Sequence, residues 1–223
     1  MVTRSLLPSV LILLASCGGV PAPLQDDATI LFDGQSLGAF RSSAFGGDGE
    51  VHVEDGRMIL EMGSPLTGVT WGGDPLPTVD YELRFTASRL AGTDFFCGLT
   101  FPVGERSLSL ILGGWGGSVC GISSLDGLDA SENETTRFVY LETGKVFDVR
   151  VRVTADRLQV HVDGESFADV ELAGKELDIR PEVDRSRPLG IASFGTRAAI
   201  GPITLRRTPR RPSAAAHPTR TSP

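Results

Sequence analysis

The chain has 223 residues, 27 glycines, three cysteines and a formal net charge of −7. Taking away the arginines at the two ends (Arg4, Arg206, Arg207, Arg210, Arg211 and Arg220) leaves residues 18–205 at −13. A body this acidic argues against nucleic acid, which wants a basic face, and its length suits one ordinary domain with a full core.

Residues 1–17 read MVTRSLLPSVLILLASC. A spanning helix needs roughly 20 apolar residues. The run over 6–14 is shorter, follows Arg4 and sits at the very start, which marks a signal peptide. Its end, Leu14-Ala15-Ser16-Cys17, resembles the lipobox of bacterial lipoproteins. That resemblance implies cleavage before Cys17, lipidation of Cys17, and a lipid-anchored protein at the cell envelope, on its periplasmic or outer-membrane face. An ordinary secretory signal cut nearby is the alternative. Residues 18–28 read as a flexible Gly/Pro tether, 29–207 as the domain, and 208–223 as a disordered Pro/Arg/Ala tail.

Strands are expected at 29–32, 51–53, 58–62 and 67–71, then at 79–87, where Val79, Tyr81, Leu83 and Phe85 alternate with Asp80, Glu82, Arg84 and Thr86. More follow at 94–101, 108–112 and 119–123. Residues 147–153 alternate again, and 158–162 and 166–172 continue after tight turns, the second at Asp163-Gly164. The last pair is 189–194 and 200–206. No stretch carries a helical period. Many short strands with turns about every 8–12 residues predict an all-β, two-sheet antiparallel jelly-roll sandwich. If Cys17 is lipidated, Cys97 and Cys120 remain, and an oxidising compartment favours a disulfide. They fall on the first and third strands of a meander, about 9–10 Å apart, whereas a disulfide needs Cα atoms within about 7 Å. A disulfide and two buried thiols both stay open.

Several motifs in order resemble the 3-keto-disaccharide hydrolase domain family. Ile30 to Leu37 is similar to its "LFNGKDL" opening, and Val51 to Gly56 to its "W-x-V-x-D-G" step. Tyr81 to Phe85 is similar to its "FELRFEFR" strand, Phe147 to Gly164 to a long hairpin, and Pro188 to Ile191 to the closing "G-x-I-G-L". The resemblance spans about residues 29–207. It implies a concanavalin A/laminin G-like jelly roll and cleavage of 3-keto-glycosides. Where the family carries a "YEVQILD" strand, this chain has Ser107 to Gly117, without a carboxylate.

Candidate site residues come from two places. Residues 115–136 bring Trp115, Asp126, Asp129, Glu132, Asn133 and Glu134 together beside glycines. An indole stacks on a sugar ring, and carboxylates serve as acid, base or oxygen ligands. Ca²⁺ is compatible with these oxygens, although the spacing is not that of an EF-hand; a polar loop without function is the alternative. The polar faces of two strands supply Glu82, Arg84 and Arg150, with cross-strand ion pairing as the plainer reading. Trp71 flanks a pocket or packs in the core. No His or Cys set stands at zinc spacing, and no Gly-x-Ser-x-Gly elbow is present.

Two functions follow. The first is a hydrolase or lyase on 3-keto-glycosides, with Glu82, Arg84, Asp126 and Glu134 in catalysis and Trp71, Trp115, Asn133 and Arg150 on the substrate. The second is a module that binds carbohydrate without turnover or shapes the envelope. The expected partners are a carbohydrate or modified glycoside and, through Cys17, a membrane.

Overall fold

The computed structural model describes residues 28–209; Cys17, the signal and most of the tether lie outside them. The strands are β1 (Ala28–Phe32), β2 (Phe40–Ser42), β3 (Val51–Glu54), β4 (Arg57–Leu60), β5 (Leu66–Trp71), β6 (Tyr81–Gly92), β7 (Cys97–Val103) and β8 (Arg106–Gly114). They continue as β9 (Val119–Ser123), β10 (Arg137–Phe138), β11 (Phe147–Val153), β12 (Arg157–Val162), β13 (Glu165–Glu171), β14 (Gly190–Phe194), β15 (Thr196–Ile200) and β16 (Ile203–Arg207). One 3₁₀ turn, Pro181–Ser186, lies between β13 and β14.

The strands form two antiparallel sheets that pack face to face as a jelly-roll sandwich. The back sheet runs β13–β12–β11–β6–β15–β4–β3, with β16 beside β6 and β1 beside β16. The front sheet runs β10–β9–β8–β7–β14–β5–β2. Alternation decides which side chains enter the core. In β11, Phe147, Val149, Val151 and Val153 are buried while Asp148 is exposed. Val149 and Val151 stand opposite Phe85 and Leu83 of β6. These back-sheet residues share one core with Leu99 and Phe101 of β7 and Leu108 and Leu110 of β8. Tyr81 reaches across it, its hydroxyl donating to the Pro102 carbonyl at 2.6 Å. Each large apolar side chain so buried contributes about 1.5–3 kcal/mol.

Five strands depart from the periodic reading. β6 continues to Gly92 because Ser88 and Arg89 are buried like the residues before them. The single strand expected at 200–206 is two, β15 and β16, broken at Gly201-Pro202, where proline has no N–H to pair. β2 and β10 are too short to show a period. The domain also runs past residue 207: Thr208 is buried and its N–H donates to the Asp80 carbonyl.

Cys97 and Cys120 are buried free thiols on β7 and β9, with β8 between them. The Cys120 sulfur accepts the Gly113 N–H at 3.3 Å. Burial pushes Cys97 up to about 12 and Cys120 up to about 11. A thiol, unlike a thiolate, is a poor nucleophile. Next to Cys120 lies Arg89, the largest fully buried side chain, at 2% exposure. Its guanidinium donates to Leu141 O at 3.1 Å and to Gly113 O and Gly117 O at 3.3 Å each, and stands 5.2 Å from the Phe96 ring centre. Burial pulls its pKa below the ordinary arginine value. No ion pair reaches it among the described residues, so carbonyl dipoles and a ring face take the place of a carboxylate.

Gly113 has φ +74°, and a Cβ there would collide with Arg89 Nη2. Gly113→Ala is therefore expected to cost at least about 2 kcal/mol and to lower Tm by about 4–8 °C; calorimetry checks this, and an unchanged Tm refutes it. In the native protein at pH 8, Cys97 and Cys120 are expected to resist a thiol-disulfide reagent and to react once guanidinium unfolds the chain. Peptide mass mapping reads both states.

Candidate functional site

The outer face of the front sheet is built of small residues. Thr100 of β7 and Ser109 of β8 stand there and hydrogen-bond at 2.9 Å, and both are buried. All seven residues of β7 and all five of β9 are buried, so this sheet is covered on both sides. The cover is the chain around Pro181–Ser186. Thr70 of β5 donates to Arg185 O, Arg185 donates to Ala44 O, and a Cβ on Gly190 would meet Ser186 O at 2.7 Å. Beside this roof a second loop, residues 124–136, pairs its backbone with 176–178: Ser124 N–H donates to Asp178 O and Asp126 N–H to Glu176 O.

Between the roof and the β8–β9 turn lies a cleft of about 270 Å³. Phe95, Phe194, Leu66, Ile111, Val183 and Trp115 make it mainly apolar, and Asp94, Ser109, Ser123, Arg180 and Glu182 supply polar groups. The Phe95 and Phe194 rings are tilted with centres 5.8 Å apart. Trp115 is 45% exposed and occupies the turn closed by Gly117 N–H on Gly114 O. Asp94 joins the two aromatic sides. One carboxylate oxygen accepts the Phe95 N–H at 2.7 Å and the other the Gly116 N–H at 3.1 Å. Arg180 pairs with Glu182 and with Asp129, and Asp129 also accepts the Ser123 hydroxyl. The Arg180 hydrogen bond holds Glu182 below the usual carboxylate range.

Of the residues expected from sequence, Trp115 lines this cleft. Asp126 and Glu134 sit on the neighbouring loop, both bound to the Lys175 ammonium at 2.9 and 3.1 Å. Two donors, the Glu176 N–H and then Lys175, hold Asp126 low. Asn133 is the buckle of that loop. Its amide nitrogen donates to the carbonyls of Ile122, Leu128 and Asp129, and its oxygen accepts from Thr135. Trp71 packs edge-on to Phe40 at 5.3 Å and donates its indole N–H to Asp74 O. Glu82, Arg84 and Arg150 stand on the outer face of the back sheet, one sandwich thickness from the cleft, because Leu83 and Val151 point inward. Among the described residues no group of three or more His, Cys, Asp or Glu is placed to hold a metal ion. Lys175 pairs with Asp126 and Glu134, and Arg180 with Asp129.

Sequence reasoning missed Asp94, Phe95, Arg180, Glu182 and Phe194. Phe95 carried a signal, since two adjacent phenylalanines in the strand expected at 94–101 cannot both face the core. Residues 173–188 carried another, a long segment without a period between strands.

No protein-family model and no curated protein matches the chain. Solved structures do resemble it. One is SCLam, described as a non-specific endo-beta-1,3(4)-glucanase of family GH16; it aligns with TM-score 0.52 and 10% identity over 81% of this chain and 92% of its own. The carbohydrate recognition domain of Emp46p aligns with TM-score 0.53 and 14% identity over 79% of this chain and 98% of its own. Domain 4 of AbnA, a GH43 extracellular arabinanase from Geobacillus stearothermophilus solved with arabinotriose, aligns with TM-score 0.51 and 14% identity over 79% and 85%. At these identities the likeness is one of fold: the chain is a jelly-roll sandwich of the kind that glucanases and lectins share.

Proposed function

We propose that this domain captures carbohydrate in the front-sheet cleft and holds it without turnover. The observation that carries the reading is the pair of aromatic sides, Phe95 with Phe194 and Trp115, fixed around a mainly apolar floor with a few polar groups at its edge. Ring faces stack on the C–H faces of sugars, and sparse polar groups orient the hydroxyls. The fold's likeness to a carbohydrate recognition domain and to an arabinotriose-bound module supports it. The acidic groups favour binding over chemistry. Glu182, the cleft carboxylate beside Arg180, is held low, whereas a general acid must be held high.

A second reading, cleavage of 3-keto-glycosides, gains from one observation: Arg180 and Glu182 reach the cleft together. Arg180 would polarise the C3 carbonyl and Glu182 would take the C2 proton. The C2–H electrons would form a C1–C2 double bond as the aglycone leaves with the C1–O pair. The Arg180 ion pair makes Glu182 a weak base for this step. We also place the domain at the cell envelope through a lipidated Cys17, on the strength of Leu14-Ala15-Ser16-Cys17.

Calorimetric titration with neutral oligosaccharides is expected to show binding that Trp115→Ala weakens about tenfold, the loss of one aromatic contact. A 3-keto-glucoside is expected to remain intact over the same period. Release of its aglycone, abolished by Glu182→Gln, would transfer the protein to the second reading, and no affinity for any sugar would remove both. In cells, Cys17→Ser is expected to move the protein from the membrane to the soluble fraction on centrifugation; an unchanged distribution refutes the anchor.

A further inference from the structure

On the outer face of the back sheet, remote from the cleft, Arg84, Arg150 and His161 stand side by side on three adjacent strands. The register sets Arg150 of β11 directly opposite Arg84 of β6 on one side and His161 of β12 on the other. In the next row Arg152 lies between Glu82 and Gln159, and Glu82 is also opposite Arg206 of β16. All of these side chains point outward, because Leu83, Val149, Val151, Val153 and Val160 fill the core between them.

Like charges directly opposite each other on a sheet destabilise it. Of this row, a carboxylate pairs with Arg84 alone. Glu82 is 4% exposed and already accepts Arg84 and Arg206. Asp169 on β13 is held by Arg157 and Gln159. Asp148, next along this face of β11, forms no ion pair among the described residues. Arg150 therefore faces the Arg84 guanidinium on one side and on the other the His161 imidazole, whose pKa is lowered by burial and by Arg150 itself, and it forms no ion pair among the described residues. Two buried polar atoms in the same cluster, Arg152 Nε and His161 Nδ1, also lack a hydrogen-bond partner. A body with charge −13 over residues 18–205 thus keeps a cationic patch at the centre of one sheet.

We propose that Arg150, Arg152 and His161, with Arg84 beside them, form an oxyanion site of the phosphate class. A phosphate oxygen set matches forked guanidinium donors and would separate the repelling charges of the row. The ligand is either free phosphate or the phosphodiester of a lipid headgroup. The second source suits a domain tethered near a bilayer, and that choice alone rests on the Cys17 reading.

Thermal unfolding of the chain from Gly18 onward, which retains both sheets and their core, tests the site. Sodium phosphate is expected to raise Tm by about 2–4 °C over sodium chloride of equal ionic strength. Arg150→Gln should abolish that difference and, in dilute buffer without phosphate, raise Tm above wild type by relieving the row. Arg152→Gln should halve the phosphate effect or more. Co-sedimentation with vesicles of phosphatidylcholine, with and without about one-third phosphatidylglycerol, separates the two sources. Loss of binding to the anionic vesicles in Arg150→Gln assigns the site to lipid, and a phosphate effect without vesicle binding assigns it to the free ion. Equal Tm in phosphate and chloride, or a phosphate effect that survives Arg150→Gln, overturns the proposal. Sugar titration of the same variants is unaffected by either result, so the cleft reading stands or falls separately.

Discussion

The arrangement of the front sheet depends on one buried cation. Arg89 leaves β6 and enters the space between the sheets, where three carbonyl oxygens from two separate segments receive it. Two of these, Gly113 and Gly117, flank the turn that carries Trp115. A guanidinium buried without a carboxylate pays a large desolvation cost, and fixed carbonyl dipoles with the Phe96 face offset it only while they stay in place. The turn and the cation therefore hold each other, with glycine at position 113 allowing the approach. Asp94 repeats the device at the surface, where a single carboxylate bonds the backbone of Phe95 and of Gly116. The two aromatic sides of the cleft are thus set by backbone hydrogen bonds to two charged side chains.

The remaining charged groups of the front face work as ties between loops. Lys175 gathers Asp126 and Glu134, Arg180 gathers Asp129 and Glu182, and Asn133 closes residues 124–136 on themselves. Exposed pairs of this kind contribute little singly, about 0–1 kcal/mol, yet together they specify how two segments without regular structure lie over the sheet. The carboxylates Asp126, Asp129 and Glu134 of residues 124–136 act as clasps between loops, and the cleft beside them is lined by rings.

Much of the fold was legible because it obeys period two. Strands β11 and β12 could be read from Val149, Val151 and Val160, and the two-sheet architecture from their number and spacing. The front sheet was harder. With small residues outside and apolar residues inside, β7 to β9 show less contrast, and both faces are buried. Of the site, Trp115 stood out as an aromatic among glycines. Phe194 did not, and the local signals at Phe95 and over 173–188 did not say that these residues meet, since they come together only when parts distant in the chain are folded, and no local spacing encodes that meeting. Glu82 and Arg84 illustrate the reverse case: a shared strand face told correctly that they adjoin, but not which of the two sheets carries the cleft.

The pairing of β1 with β16 has a consequence for how the domain can be combined with others. Ala28 stands opposite Arg206, so the first and last of the described strands are neighbours in one sheet, their Cα atoms about 4.5–5.5 Å apart. Residues 28–209 thus form nearly a closed ring with its seam in the back sheet, away from the rings of the cleft. A few residues would bridge the seam, and the polypeptide could then be opened at an exposed turn such as Asp163-Gly164 without disturbing the core. By the same geometry, the whole sandwich can be spliced into a surface loop of another protein at small entropic cost, because its two ends ask the host for no more room than the gap between neighbouring strands.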